Sequence, residues 1–303
     1  MRVLASTHDI THEEWRELRK KGIGGSDVSA IMGLNPYSSP FNVWIEKIGM
    51  HEEIVDNEPA YWGTVLEDVL AKEFTIRTDK RLQRRNAILQ HDEHDFMIAN
   101  VDRVVIGEDA GWEGKTTNAF YKDEGCPQHY WVQCQHYMLV TGKPLWYLSI
   151  LAGGQKYYGY NIPRDNNYID NVLMPAEIEF WRMVQENEMP PVDGSDACTE
   201  IIGHLYPDSA EDDIELPLDS FALVEQYEEL TAKEKELEAE KKRLSNEIKM
   251  LMKEHSRGHI FEKKIHWPTI VSQRFDTKSF QRDYPELHDQ YLKESKYRRF
   301  QIK

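Results

Sequence analysis

Helix-type and strand-type periodicities alternate along the first two thirds of the chain. Thr11 and Glu14 fit the S/T-x-x-E capping box that begins a helix. Residues 58–75 place apolar side chains at spacings of three and four, which is typical of an amphipathic helix. Short segments between residues 87 and 116 have strand composition, and a helix and two more strands follow as far as residue 162. This order predicts an α/β fold with a central mixed sheet of four or five strands flanked by helices.

The charge balance limits how the protein could meet nucleic acid. The chain has 37 Lys and Arg against 53 Asp and Glu, a net charge of −16. A broad basic surface is therefore excluded as the basis of DNA binding. A nuclease remains compatible with this charge, because its metal site is built from carboxylates and the bound cation reverses the local field.

Cysteine usage and hydropathy indicate an intracellular protein. Cys126, Cys134 and Cys198 are scattered and form no CxxC pair, so neither a disulfide framework nor a zinc ribbon is predicted. No apolar run approaches the ~20 residues that cross a bilayer, and the first residues lack the apolar stretch of a secretory signal. We expect a cytoplasmic protein that does not enter a membrane.

The composition changes in the last third of the chain, where leucines recur every seven residues in a segment rich in Glu and Lys. They are Leu223, Leu230, Leu237, Leu244 and Leu251. This spacing predicts a long helix with a coiled-coil-like seam. Two of the four intervening seam positions are charged, Glu234 and Lys241, which argues against a free-standing dimer zipper. We expect the leucines to pack within their own chain, with a short antiparallel contact as the alternative.

Two strands, over 260–267 and 269–275, and a final helix over 280–292 are predicted after this long helix. We place the domain boundary between residues 213 and 214. Residues 1–213 would form the main domain, and residues 214–303 a helical and β-hairpin extension.

A group of polar residues in the main domain predicts metal-dependent chemistry. Glu113 and Lys115 are two apart, so they face the same side of a strand, and Asp102 can face them across a hairpin. Glu67 could join them from the preceding helix. Carboxylates with a backbone carbonyl suit Mg²⁺ or Mn²⁺, and a neighbouring ammonium can orient water and offset charge. The pattern is typical of a phosphodiesterase site, although D…ExK alone is a short and unspecific signal.

Six segments in a fixed order make the pattern specific. They are WRELR at 15–19, GIGGSD at 22–27, WGTVLE at 62–67, NVD at 100–102, WEGKT at 112–116 and QCQHYM at 133–138. With this order and spacing, the chain from residue 15 to about residue 164 resembles the YqaJ-like viral recombinase family. These are the lambda-type phage exonucleases of the PD-(D/E)xK superfamily, which implies a restriction-endonuclease-like core.

The resemblance assigns the metal chemistry to particular residues. Asp102 and Glu113 correspond to the metal ligands, assisted by the carbonyl of Gly114. Glu67 corresponds to the helix carboxylate that binds a second metal or a metal-bound water. Lys115 corresponds to the catalytic lysine.

The resemblance also assigns residues that meet the DNA. Gln133 corresponds to the glutamine that lies near the catalytic lysine and the DNA. Arg19 and Ser26 fall where the family binds a 5′-phosphate, and a guanidinium with a hydroxyl in a Gly-rich turn suits that role. The alternative for Ser26 is a helix cap followed by Asp27.

The function implied is a Mg²⁺-dependent exonuclease, with Mn²⁺ possible, that digests linear duplex DNA from 5′ to 3′ and leaves a 3′ single strand for recombination. The family further implies a ring-shaped homo-oligomer, a single-strand annealing recombinase as partner, and a phage or prophage protein in a bacterial cytoplasm. The sequence leaves two alternatives open. One is a structure-selective or nicking endonuclease that uses the same residues, and the other is a non-catalytic DNA-binding or assembly protein.

Overall fold

The computed structural model describes residues 1–50, 58–118, 121 and 124–302. It divides the chain into two compact units, Met1–Leu205 and Tyr206–Lys303. Residues 206–217, between the last helix of the first unit and the long helix of the second, contain neither helix nor strand. The predicted boundary between residues 213 and 214 lies in this segment and stays a prediction.

The described residues of the first unit form eight strands in two sheets. The strands are β1 (Arg2–Ser6), β2 (Leu82–Arg84), β3 (Ala87–Gln90), β4 (Ile98–Asn100), β5 (Arg103–Val105), β6 (Ala110–Thr117), β7 (Leu145–Ala152) and β8 (Lys156–Pro163). The larger sheet has the order β2-β5-β6-β7-β8, and the smaller has the order β1-β3-β4. Strands β6 and β7 are parallel while their other neighbours are antiparallel, so the larger sheet is mixed.

The helices of the first unit cover both faces of the larger sheet. They are α1 (His12–Lys20), α2 (Gly25–Ile31), α3 (Pro40–Lys47), α4 (Glu58–Thr78), α5 (Gln128–Thr141), α6 (Asn166–Tyr168), α7 (Met174–Glu186) and α8 (Asp196–Leu205), with a π-helical turn over Ile169–Leu173 before α7. Residues of α4 pack in one cluster with Trp112 and Tyr147, and residues of α5 pack in another with Trp146 and Leu148. The expected central mixed sheet flanked by helices is confirmed.

The ends of several elements differ from the prediction. Helix α2 begins at Gly25, inside the expected Gly-rich turn, because the Asp27 carboxylate accepts a hydrogen bond from the backbone N–H of Gly24 at 2.9 Å. Ser26 therefore lies in the first helical turn and is not the cap. Helix α8 and strand β1 were not predicted.

The second unit contains the predicted long helix, α9 (Phe221–Met252), after a 3₁₀ turn over Leu218–Ser220. Its hairpin is made by β9 (Arg257–Ile260) and β10 (Lys263–His266), which pair antiparallel. The predicted strand over 260–267 contains β10, although the chain turns at Phe261, whose φ is +50°. The predicted strand over 269–275 was wrong, because residues 267–276 contain neither helix nor strand.

The final helix of the second unit is divided. It consists of α10 (Thr277–Asp283) and α11 (Pro285–Gln290), whereas one helix over 280–292 was predicted. Proline lacks the N–H that a continuous helix needs, so Pro285 begins a new helix.

The leucines of α9 are largely exposed rather than packed within the second unit. Their exposed fractions run from 45% at Leu244 to 82% at Leu251. The expectation of intrachain packing was wrong. Among the described residues, no helix is both long and apolar enough to cross a membrane.

Gly111 on β6 gives a direct test of the packing between β6 and β7. It lies opposite Trp146, which is fully buried, and a Cβ atom at Gly111 would lie 2.3 Å from the indole ring. We predict that Gly111→Ala lowers the free energy of unfolding by about 1–3 kcal/mol, the usual cost of overpacking a core. Urea denaturation measures this. Gly194→Ala, where a Cβ atom meets nothing within 4 Å, is the control. Equal stability of the two variants would contradict the close contact.

Candidate active site

The hairpin of β5 and β6 brings three of the predicted residues together. Arg103 pairs with Trp112, so Asp102, just before β5, lies beside the residues that follow Trp112. The backbone N–H of Gly114 donates to Asp102 Oδ2 at 3.5 Å, and Lys115 Nζ lies 2.7 Å from Glu113 Oε1. The same-side arrangement expected from the strand period is therefore present.

Helix α5 adds the fourth residue. Gln133 Nε2 donates to Glu113 Oε1 at 3.0 Å and to the hydroxyl of Tyr137 at 2.7 Å. Glu113 is 3% exposed, and its other oxygen, Oε2, is buried without a hydrogen-bond partner in the described structure. A buried carboxylate oxygen without a donor is costly, so this atom favours binding of a cation.

The electrostatics of Asp102 and Glu113 also favour the binding of a cation. Burial and the negative charge of Glu113 raise the pKa of Asp102 well above its ordinary value, although Lys115 opposes this. Burial lowers the pKa of Lys115, but the attraction of Glu113 and Asp102 is larger and leaves the net pKa above the ordinary value. Lys115 is thus a stable ammonium, and one positive charge faces two carboxylates. A second cation would stabilise both of them in the ionised form.

Glu67 is held apart from this pair. Its Oε1 accepts from Arg103 Nε at 3.0 Å and from Arg103 Nη2 at 2.7 Å. Burial and Asp102 raise the pKa of Glu67, and Arg103 opposes them. Within the part of the chain that the structure describes, no three His, Cys, Asp or Glu side chains form a group that could bind a metal. Glu67 and Asp102 nevertheless line one cavity of about 480 Å³.

Arg19 and Ser26 lie together, as the sequence predicted. Both contact a buried ionic group, formed by Asp27 and Lys47, that the sequence did not predict. Arg19 Nη2 donates to Ser26 Oγ at 3.1 Å and to Asp27 Oδ1 at 2.8 Å. Lys47 Nζ, from α3, donates to Asp27 Oδ2 at 2.7 Å. Burial raises the pKa of Asp27, but Lys47 and Arg19 together bring it well below its ordinary value. Asp27 and Lys47 therefore fix the position of Arg19.

A close approach of α2 and α5 joins the two groups. A Cβ atom at Gly25 would lie 2.5 Å from the ring of Tyr137, so only glycine fits there without a shift. One cavity of about 230 Å³ is consequently lined by most of the predicted residues: Arg19, Ser26, Asp102, Glu113, Lys115 and Gln133.

His136, also on α5, was not singled out in the sequence and helps to hold α5 in place. His136 and Glu177 are both fully buried, and His136 Nδ1 lies 2.8 Å from Glu177 Oε1. His136 Nε2 donates to the carbonyl of Ile98, on β4, at 2.9 Å. Burial lowers the pKa of His136, but Glu177 raises it more. The His136 ring therefore links α5, α7 and the strand that leads to Asp102. The sequence signal was only its place in the QCQHYM segment.

Comparison with known proteins places this site in a family context. A family model described as the YqaJ-like viral recombinase domain matches residues 14–144. The uncharacterized protein YqaJ of Bacillus subtilis (strain 168) is 39% identical over 99% of this chain and 97% of its own length.

Two solved structures resemble the fold at lower similarity. An alkaline exonuclease (LHK-Exo) from Laribacter hongkongensis is 18% identical over 58% of this chain and 94% of its own, with a TM-score of 0.47. A phage related exonuclease from Haemophilus somnus 129PT is 15% identical over 57% and 99%, with a TM-score of 0.43.

The His136–Glu177 pair predicts a pH-dependent stability. The pKa of His136 is raised above its ordinary 6.5, so its contribution is complete below that pH and is lost as pH rises through the higher folded pKa. We expect the free energy of unfolding of the unmodified protein to exceed that of His136→Gln by an amount that shrinks with rising pH. Urea denaturation on both sides of pH 6.5 measures it. Exposed His8→Gln is the control. A pH-independent difference would show that the pair does not titrate.

Proposed function

The chain belongs to the YqaJ-like viral recombinase family, and from this premise we propose that it is a metal-dependent deoxyribonuclease that digests linear duplex DNA from an end. The observation that supports this most is the pair of the half-buried Asp102 and the buried Glu113 beside the ammonium of Lys115. The pair lines one cavity together with Arg19. Two adjacent carboxylates with a single cation beside them suit a phosphodiesterase site.

Mg²⁺ is the proposed cofactor, with Mn²⁺ as the second choice. Asp102, Glu113 and the carbonyl of Gly114 would bind it. The donor set fits, because Mg²⁺ in proteins is usually bound by one or two carboxylates and keeps several waters. The unpartnered Glu113 Oε2 and the raised pKa of Asp102 support the same site. When bound, such a cation lowers the pKa of a water molecule and polarises a phosphoryl oxygen. Glu67 would reach a second ion or its water only after leaving Arg103.

The chain's own residues have separate roles in this proposal. Lys115 remains protonated, and Glu113 fixes its ammonium group at 2.7 Å, so it can orient the attacking water and offset negative charge in the transition state. Gln133 fixes the Glu113 carboxylate against Tyr137. Arg19, positioned by Asp27, would bind the 5′-phosphate together with Ser26.

The proposal also includes the direction of digestion and the role of the product in recombination. Binding of a 5′-phosphate beside the carboxylates favours 5′ to 3′ digestion that leaves a 3′ single strand for homologous recombination. We also propose a ring-shaped homo-oligomer and a single-strand annealing recombinase as partner, as the family resemblance implies.

The carboxylate pair gives the first test. We predict that Asp102→Asn and Glu113→Gln each lower the rate of digestion of linear duplex DNA in Mg²⁺ by more than about 100-fold, because each removes a ligand charge. Asp102→Asn should not lower Tm, since its charge is unfavourable in the folded state. Asp170→Asn, at an exposed carboxylate, is the matched control.

The substrates in this assay distinguish the alternatives. A linear duplex should be degraded and a covalently closed circle should remain intact. Cleavage of the circle would favour the endonuclease, and an inactive unmodified protein would favour the DNA-binding or assembly protein. Full activity of either carboxylate variant would place the catalytic site elsewhere.

The 5′-phosphate gives the second test. A charge-assisted contact of this kind is worth ~1.5–3 kcal/mol, so a 5′-phosphorylated duplex should be digested about 10- to 100-fold faster than a 5′-hydroxyl duplex. We predict that Arg19→Ala removes most of this difference, whereas Arg16→Ala, on the same helix, keeps it. Rates on the two substrates are compared by release of acid-soluble nucleotide. Equal rates with the unmodified protein would refute the assignment of Arg19 and Ser26.

A further inference from the structure

The second unit leaves the apolar face of α9 open. Among the described residues from Tyr206 onward, only Met252 is a buried hydrophobic residue. Helix α9 has 32 residues, and its leucines are between 45% and 82% exposed. Most helical stability in proteins comes from burying an apolar face, and exposed apolar stripes mark interaction surfaces.

A groove adjoins this apolar face at the C-terminal end of α9. Its volume is about 530 Å³, and it lies between the last turns of α9 and the end of the hairpin. Its apolar lining consists of Leu237, Leu244, Ile248, Met252, Ile265 and Trp267. Leu237, Leu244 and Ile248 are seam positions of the heptad pattern, so the groove continues the leucine face.

The charged seam residues Glu234 and Lys241 favour one of the two possible orientations of a partner helix. In a parallel pair each seam residue faces its own copy, so Glu234 would face Glu234 and Lys241 would face Lys241. In an antiparallel pair Glu234 faces a leucine and lies one layer from Lys241 of the other helix. The two charges that oppose a parallel zipper therefore attract in an antiparallel pair.

The charges along the whole helix, seam residues included, follow the same division. Residues 221–236 contain two lysines against five glutamates, a net of −3. Residues 238–253 contain five lysines and arginines against three glutamates, a net of +2. An antiparallel partner with the same sequence would lay each acidic half along a basic half. It would also place opposite ends of the two helix dipoles together.

We propose that α9 pairs antiparallel with α9 of a second copy of this chain, so that the N-terminal half of each helix lies in the groove of the other. In the matching register, Leu230 of one helix faces Ile248 of the other, and Tyr227 faces Leu251. The contact is two-fold symmetric and buries the same surface on both copies. It concerns assembly and does not depend on the proposed nuclease activity.

Assembly mass tests the pairing in the full-length protein. We expect Leu230→Lys to raise the dissociation constant by at least about 100-fold, because two buried leucines are replaced in each symmetric contact. Its mass by sedimentation or light scattering should be half that of the unmodified protein, one ring in place of two joined rings, or a monomer in place of a dimer if no ring forms. Ala232→Lys places the same charge on the opposite, exposed face and should keep the full mass. Two results would overturn the proposal. One is a Leu230→Lys variant that keeps the full mass. The other is an unmodified protein that is a monomer, with a Leu230→Lys variant whose Tm is lowered at every protein concentration.

Cross-linking tests the orientation. Leu230→Cys and Ile248→Cys chains, mixed and oxidised, should form a covalent heterodimer, while neither should cross-link alone. Cys134 and Cys198 are buried and Cys126 is half-buried, so the oxidised unmodified protein gives the background. Efficient cross-linking of Leu230→Cys to itself would indicate a parallel pair and refute the antiparallel arrangement.

Discussion

The balance of buried charge around the β5–β6 hairpin is the constraint on which the rest of the first unit depends. Asp102 and Glu113 face one ammonium, that of Lys115, and Glu113 itself is buried. Close carboxylates with a single cation leave a net negative charge, and in a medium of low dielectric constant this is costly. Helix α4 and the strands β2 and β7 pack against the hairpin, and Gln133 of α5 donates a hydrogen bond to Glu113, so the hairpin cannot relax toward solvent.

A second ionic group, formed by Asp27, Arg19 and Lys47, has more cations than carboxylates. Asp27 is one carboxylate between two cations, Arg19 and Lys47, and its pKa is lowered, whereas that of Asp102 is raised. The Asp27 group has its anion fully compensated and retains positive charge on Arg19, which suits a phosphate. The Asp102 group lacks a cation, which suits a metal. Residues of both groups line one cavity, so a position that suits an anion and a position that suits a cation lie side by side.

The two units differ in how they bury apolar surface. The first encloses Trp44, Trp112 and Trp146 with many aliphatic side chains in two clusters on either side of the larger sheet. The second consists of one long helix, a hairpin and two short helices, and its leucines and aromatic side chains stay largely exposed. A unit of this kind gains stability by covering its apolar face with another molecule, and the opposite charges of the two halves of α9 suit a copy of itself.

Local patterns in the sequence determined the features that depend on near neighbours. The strand period of two put Glu113 and Lys115 on one side, the short turn between β5 and β6 brought Asp102 to them, and the heptad spacing predicted α9. The sequence could not predict contacts between distant segments. Only the tertiary structure paired Lys47 with Asp27, Arg103 with Glu67, and His136 with Glu177, because a buried charge selects its partner by position in space. The same reason explains the shifted start of α2 and the open leucine face, since burial depends on which surfaces the folded chain brings together.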